Sequence, residues 1–106
     1  MKGRPVTALS QRQRQFLRKL AHDLKPIVHI GKNGLSDNLF GSAAIALDAH
    51  ELIKVKFLDF KDEKREVAEK LASQLRAEVV GLIGNTAILY RYQPDDDKRK
   101  INLPRT

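Results

Sequence analysis

The sequence predicts an α/β fold with the element order α-β-α-β-α-β-β, in which three helices pack on a four-stranded mixed sheet. Three observations predict it: apolar residues recur at helical spacing in three segments, short β-branched runs follow them, and Gly84-Asn85 separates the last two runs as a hairpin turn would. The 106 residues suit one domain, which we expect at residues 10–92. Residues 1–9 are expected to form a flexible lead-in and residues 93–106 a disordered polar tail.

The first helix is predicted to begin at Ser10 and to end before Pro26. Ser10 and Gln13 have the spacing of a capping box, in which each side chain bonds a free backbone N–H of the other. Proline restricts the residue before it to extended geometry, which stops the helix. The predicted core face consists of Phe16, Leu17, Leu20, Ala21 and Leu24.

The same helix carries a basic stripe. Its residues follow one another at steps of four, four and three, so they share one face: Arg14, Arg18, His22 and Lys25. One interpretation is an ordinary solvated face. The other is an anion-binding surface, which the absence of an acidic residue from the stripe favours.

A short strand, a glycine loop and a second helix follow. Residues 27–30 form the predicted strand, and Gly31-Lys32-Asn33-Gly34 is the loop. Ser36 is placed to cap the second helix, which is expected to end near His50. The loop therefore leads directly into a helix N-terminus.

The second predicted strand, residues 52–58, alternates in polarity. Ile53, Val55 and Phe57 share one face, whereas Lys54 and Lys56 share the other. A parallel strand covered on both faces is usually apolar throughout. The alternation therefore predicts a sheet that is partly open to solvent.

A third helix and two strands complete the predicted fold. Asp62 is the expected cap of a helix over residues 63–76, whose outer face mixes charges of both signs. Strands over residues 79–83 and 87–92 form the hairpin. Alternation of strands and helices predicts parallel pairs, to which the hairpin adds one antiparallel strand.

Composition and motifs exclude several classes of protein. The chain has no cysteine, so it forms no disulfide or thiolate zinc site and has no cysteine nucleophile. The three histidines form no pair at i,i+4 spacing and have no carboxylate cluster nearby, and the phosphate-loop and dinucleotide motifs are missing. We therefore expect no catalytic residue, metal, cofactor or small-molecule substrate. Without a secretory signal or an apolar run long enough for a membrane, the expected location is the cytoplasm.

The positive charge is concentrated near the N-terminus. Residues 1–34 hold eight basic residues and one acidic residue, which accounts for the whole net charge of +7, and residues 35–106 are neutral overall. Clustered Lys and Arg release counterions from a phosphate backbone, so this asymmetry favours a nucleic-acid partner.

The glycine loop also has two interpretations. A lone G-x-x-G can simply supply the backbone freedom of a tight strand-to-helix turn. Alternatively, its bare backbone, Lys32 and the following helix N-terminus can hold a phosphate chain, as G-x-x-G loops do in KH domains. Position after the basic helix favours the second interpretation.

Three collinear segments resemble the CRM domain family (chloroplast RNA splicing and ribosome maturation). They are Leu24-Lys25-Pro26-Ile27-Val28-His29-Ile30-Gly31-Lys32-Asn33-Gly34-Leu35, then His50-Glu51-Leu52-Ile53-Lys54-Val55-Lys56, and finally Val80-Gly81-Leu82-Ile83-Gly84-Asn85-Thr86 with Leu89-Tyr90-Arg91. The resemblance covers roughly residues 8–92. A chain of one such domain is similar to the bacterial stand-alone, YhbY-like members.

The resemblance implies a fold similar to the C-terminal domain of translation initiation factor three. It also implies non-catalytic binding of ribosomal RNA in precursors of the large ribosomal subunit. The expected RNA-binding residues are Gly31, Lys32, Asn33, Gly34, Arg12, Arg14, Arg18, Lys25, Lys54 and Lys56. Two alternatives stay open: a protein-interaction module on the ribosome that works through the third helix, and an RNA-processing enzyme that uses a histidine.

Overall fold

The computed structural model describes residues 9–105, and the predicted element order is confirmed. The predicted lead-in at residues 1–9 lies outside this range apart from Leu9. The elements are α1 (Gln11–Ala21), β1 (Val28–Ile30), α2 (Asp37–His50), β2 (Leu52–Phe57), α3 (Lys64–Gln74), β3 (Glu78–Ile83) and β4 (Thr86–Tyr90). A 3-10 turn at Lys61–Glu63 precedes α3, and Asp62 lies inside it, so the prediction that Asp62 caps the helix is wrong.

The four strands form one mixed sheet in the order β1-β2-β4-β3. β1 pairs with β2 in parallel, and β4 is antiparallel to both of its neighbours, β2 and β3. Only one parallel pair is therefore hydrogen-bonded, because the last strand inserts between the second and third. Residues 87–90 of β4 are all buried, as expected of a central strand covered on both faces.

One face of the sheet is covered by α2 and α3. The inward side chains of β1, β2 and β4 on this face meet Leu47 of α2 and Leu71 of α3, both of which are fully buried. The core is dense in alanine where the helices approach the sheet, at Ala43, Ala68 and Ala72. Small side chains allow this close approach of helix and sheet.

The other face is covered over only part of its area, by α1 and the C-terminal segment. Leu17 and Ala21 of α1 are buried against Ile88 and Tyr90 of β4. The predicted capping box of α1 is present, with both the Ser10 and the Gln13 side chains bonded to backbone N–H groups.

The end of α1 departs from the prediction. The helix ends at Ala21, five residues before Pro26, and Leu20 and Leu24 are 44% and 40% exposed. Their predicted place in the core is wrong, because the last turn of α1 packs on the sheet through Ala21 and leaves Leu20 outside, and Leu24 lies beyond the end of the helix. Together with Ile27 they line a groove of about 400 Å³.

The C-terminal segment lies against the domain, whereas the sequence predicts a disordered tail. Ile101 and Leu103 pack against the α1 side of the core. The buried carboxylate of Glu51 accepts hydrogen bonds from the backbone N–H groups of Lys100 and Ile101, at 2.8 and 3.1 Å. Glu51 thus joins the end of α2 to the tail.

Candidate nucleic-acid interface

The glycine loop is a tight turn between β1 and α2. The Gly34 N–H donates to the Gly31 carbonyl oxygen at 3.0 Å, and Lys32 and Asn33 lie exposed at its tip. Ser36 caps α2 by accepting from the Leu39 N–H at 3.1 Å. The loop and the first turns of α2 enclose a depression of about 270 Å³. Its polar lining consists of His29, Lys32, Asn33, Ser36, Asn38 and Ser42.

The two loop glycines have different structural roles. Gly34 has φ of +60°, a conformation that favours glycine, and a Cβ there would lie 3.3 Å from the Phe60 ring, which leaves little room for a side chain. Gly31 has no such φ, and a Cβ built on it meets no described atom within 4 Å. The turn alone therefore explains Gly34 and does not explain Gly31.

The segment after β2, residues 58–60, packs against the glycine loop. The backbone N–H groups of Leu58 and Asp59 both donate to the Ile30 carbonyl oxygen, at 2.9 and 3.2 Å. Phe60 follows with φ of +56° and places its ring against Gly34. The start and the end of the loop are therefore both in contact with residues 58–60.

Two residues of the basic stripe are bonded to the sheet and the other two are exposed to solvent. Arg14 bonds the Glu78 carboxylate at 2.7 Å and the Val79 carbonyl at 3.1 Å, while Arg18 bonds the Val80 carbonyl at 2.9 Å. Both guanidinium groups thus join α1 to β3. His22 and Lys25, farther along the stripe, are exposed.

The two lysines of β2 also differ. The Lys54 ammonium donates to the His22 carbonyl oxygen at 3.2 Å, at the C-terminal end of α1, where a cation complements the helix dipole. Lys56 is exposed and lies on the same face of the sheet as Lys54 and His29. The predicted open part of the sheet is confirmed at Lys56.

The predicted binding residues thus fall into two groups. Arg12, Lys25, Lys32, Asn33 and Lys56 are exposed, whereas Arg14, Arg18 and Lys54 are bonded to neighbouring elements. Sequence reasoning missed the exposed Lys19 and His29. The alternation Val28-His29-Ile30 is the signal that could have placed His29 on the open face of the sheet, because both of its neighbours are buried on the other face.

Residues 9–105 contain no group of three or more His, Cys, Asp or Glu side chains that could hold a metal ion. Among the same residues, no helix has the length and apolar character needed to cross a membrane.

Comparison with known proteins identifies relatives along almost the whole chain. A protein of Bacillus subtilis named "Probable RNA-binding protein YqeI" is 42% identical over 91% of this chain and 99% of its own length. A Haemophilus influenzae protein named "RNA-binding protein" is 39% identical over 94% of this chain and 99% of its own length.

A solved structure and a family match agree with these relatives. The solution structure of the hypothetical protein SAV1595 from Staphylococcus aureus, described as a candidate RNA-binding protein, covers 91% of this chain with a TM-score of 0.76 and 39% identity, and the match spans 99% of that chain. Residues 9–91 match the CRS1/YhbY (CRM) domain, which is the family that the loop, the second strand and the closing hairpin resemble. This chain therefore belongs to the CRS1/YhbY (CRM) domain family.

Proposed function

We propose that this protein is a non-catalytic RNA-binding protein whose contact surface is the Gly31–Gly34 loop, with further phosphate contacts from exposed cations elsewhere on the domain. The names of the relatives in Bacillus subtilis and Haemophilus influenzae support RNA as the ligand. The geometry supports the loop as the contact, since it combines an exposed lysine, a bare backbone and the start of a capped helix.

The observation that carries the proposal is Gly31. Neither its φ nor its surroundings require glycine, so the fold gives no reason for the missing side chain. A bare backbone at this point lets a phosphate approach the loop amides closely. Lys32 can then neutralise the phosphate, and the positive end of the α2 dipole adds to the attraction.

Exposed cations outside the loop are also part of the proposed surface. Arg12, Lys19 and Lys25 can hold further phosphates, whereas Arg14, Arg18 and Lys54 act mainly by fixing α1 in place. Phosphate contacts position a nucleic acid without reading its sequence. Recognition would then depend on the shape and pairing state of the RNA.

The cellular ligand in this proposal is ribosomal RNA in precursors of the large ribosomal subunit, bound in the cytoplasm during ribosome assembly. The support is membership of the CRM family, whose stand-alone members this chain resembles over residues 9–91. The proposed role needs binding alone, and the histidines of the described chain are not grouped with carboxylates as a metal site would require.

Adding one methyl group at Gly31 tests whether the loop backbone contacts a phosphate. Gly31→Ala should weaken RNA binding about ten-fold, the size of one lost hydrogen bond to a charged group, because the new Cβ separates the loop amides from the phosphate. The free energy of unfolding should not fall and should rise by at most about 1 kcal/mol, since the position is open and has no positive φ. Fluorescence anisotropy with a labelled RNA and urea denaturation measure the two quantities.

Gly41→Ala is the matched control. Gly41 is exposed within α2, and a Cβ there also meets no described atom within 4 Å. Alanine in a helix interior should stabilise the protein by about 0.5–1 kcal/mol and leave RNA binding unchanged. Equal RNA affinity of the Gly31→Ala variant and the unmodified protein would contradict the proposed contact.

A further inference from the structure

The uncovered part of the sheet presents one row of residues that crosses all four strands. His29 on β1 is opposite Lys56 on β2, Lys56 is opposite Thr86 on β4, and Thr86 is opposite Ile83 on β3. We call these four residues the open row. With strands about 4.8 Å apart, the row is roughly 14 Å long.

The open row combines side chains that suit an unpaired nucleotide. His29 offers a flat ring, Lys56 an ammonium group and Thr86 a hydroxyl, and Ile83 offers an apolar side chain that is 64% exposed. Within residues 9–105 the Lys56 ammonium has no hydrogen-bond or salt-bridge partner. The contacts of the fold therefore do not explain why Lys56 and Ile83 occupy these exposed positions.

The uncovered part of this face carries charge of one sign. The open row contains no acidic residue, and neither does the next row toward α1, which consists of Lys54, Ile88 and Gly81. A surface with cations and no carboxylate suits a polyanion. A protein partner would have to bring the acidic groups itself.

The open row is continuous with the glycine loop. His29 lines the depression beside the loop and lies two residues before Gly31. The hairpin turn Gly84-Asn85 directly joins Ile83 and Thr86 at the other end of the row. A strand held by its phosphates at the loop could therefore lay its next nucleotides across the sheet.

We propose that the open row contacts the bases and sugars of single-stranded RNA, so that this protein binds unpaired RNA in preference to a duplex. This inference rests on the proposed function and adds the class of RNA to it. The faces of paired bases are stacked inside a duplex, whereas unpaired bases can stack on flat or apolar side chains. The loop holds the backbone, and the open row selects for unpaired nucleotides.

The test compares a labelled oligouridylate with an RNA duplex of the same length by fluorescence anisotropy. The unmodified protein should bind the single strand about ten-fold more tightly. Replacing two members of the row, His29→Ala with Ile83→Ser, should weaken single-strand binding about five-fold or more and change duplex binding little. The dependence on salt should stay the same, because no phosphate contact is removed.

Matched substitutions away from the sheet serve as controls. His50→Ala with Ile45→Ser replaces an exposed histidine and an exposed isoleucine of α2 and should leave both affinities unchanged. Unfolding curves show whether each variant is folded. The single variant His29→Ala, at an exposed position, provides a second measurement should the double variant prove unstable.

The outcomes separate this inference from the proposed function. Equal affinity of the unmodified protein for single strand and duplex would overturn the open row, and so would unchanged single-strand binding of the row variants. If Gly31→Ala still weakens binding in the same assay, the phosphate contact stands without the row. If the unmodified protein binds neither RNA, the proposed function itself fails.

Discussion

Arg14 and Arg18 show why a basic residue at the right spacing need not be a binding residue. Both lie on the predicted stripe, yet their guanidinium groups bond β3 instead of pointing freely into solvent. The aliphatic part of Arg18 also packs over Gly81, where a Cβ would lie 3.1 Å from the Arg18 Cδ. These contacts hold α1 on the sheet, and the glycine in β3 makes room for the arginine.

The contact of Arg14 leads to a prediction about stability. Glu78 is only 6% exposed and Arg14 is 30% exposed, so Arg14→Ala removes the guanidinium partner of a buried carboxylate. We expect a loss of about 2–3 kcal/mol in the free energy of unfolding, below the value for a fully buried pair because the arginine is partly solvated. Urea denaturation measures the loss.

Arg12 is the matched control for Arg14, because it lies on the same helix and is exposed. Arg12→Ala should change stability by less than about 0.5 kcal/mol and weaken RNA binding. Equal unfolding midpoints for the two variants would show that the contact with Glu78 contributes nothing to the fold.

For single residues, the sequence indicates which side chains are available but not which atoms of the fold they contact. The loop was found from its two glycines and its position, yet only the backbone shows that Gly34 is needed for the turn and Gly31 is not. Arg18 and Gly81 are far apart in the chain, so no local pattern connects them. Lys54 and Lys56 look equivalent in an alternating strand, and only the position of α1 distinguishes them.

Among the elements, the helices and strands were predictable and the order of strands was not. Period and caps locate each element, as the capping box of α1 shows. β4 lies between β2 and β3, and residues 87–90 are accordingly buried on both faces. In the sequence these residues are a short apolar run, which by itself does not distinguish a central strand from a buried helix segment. An apolar run of this kind is typical of a central strand, because both of its faces are covered.

The C-terminal segment shows the limit of composition as a guide to structure. Its charged residues predict disorder, but Ile101 and Leu103 are spaced by two and both reach the core beside α1. The Gln13 side chain also donates to the Pro104 carbonyl at 2.7 Å. Two apolar residues and a buried acceptor at Glu51 are enough to place a polar segment against the domain.

Removing the tail tests this arrangement. A chain that ends at Gln93 should unfold at lower urea concentration, with a loss of about 2–4 kcal/mol, because Ile101 and Leu103 leave the core and Glu51 loses two hydrogen bonds. Asn102→Ser in the full chain, at an exposed position between them, is the control and should have no effect. An unchanged midpoint for the shortened chain would favour the disordered tail that the sequence predicts.

The positive charge of the whole molecule is concentrated in its first third. The excess lies in residues 1–34, which supply α1, β1 and the glycine loop, whereas residues 35–106 are neutral overall. The exposed cations that the proposal counts are Arg12 and Lys19 on α1, Lys25 after it, Lys32 in the loop and Lys56 on the open face. Their number sets the electrostatic part of the binding free energy.

The dependence of RNA affinity on salt concentration measures the number of phosphate contacts. For single-stranded RNA each phosphate contact adds about 0.7 to the slope of log K against log salt, so five contacts should lower the affinity about a hundred-fold between 50 and 200 mM salt. Lys32→Ala should reduce the slope by about 0.7, whereas Lys70→Ala, at an exposed position on α3, should leave it unchanged. Binding that stays constant over this range would contradict phosphate contact altogether. A slope unaffected by Lys32→Ala would place the RNA elsewhere on the molecule, since the loop lysine could not then be in contact with it.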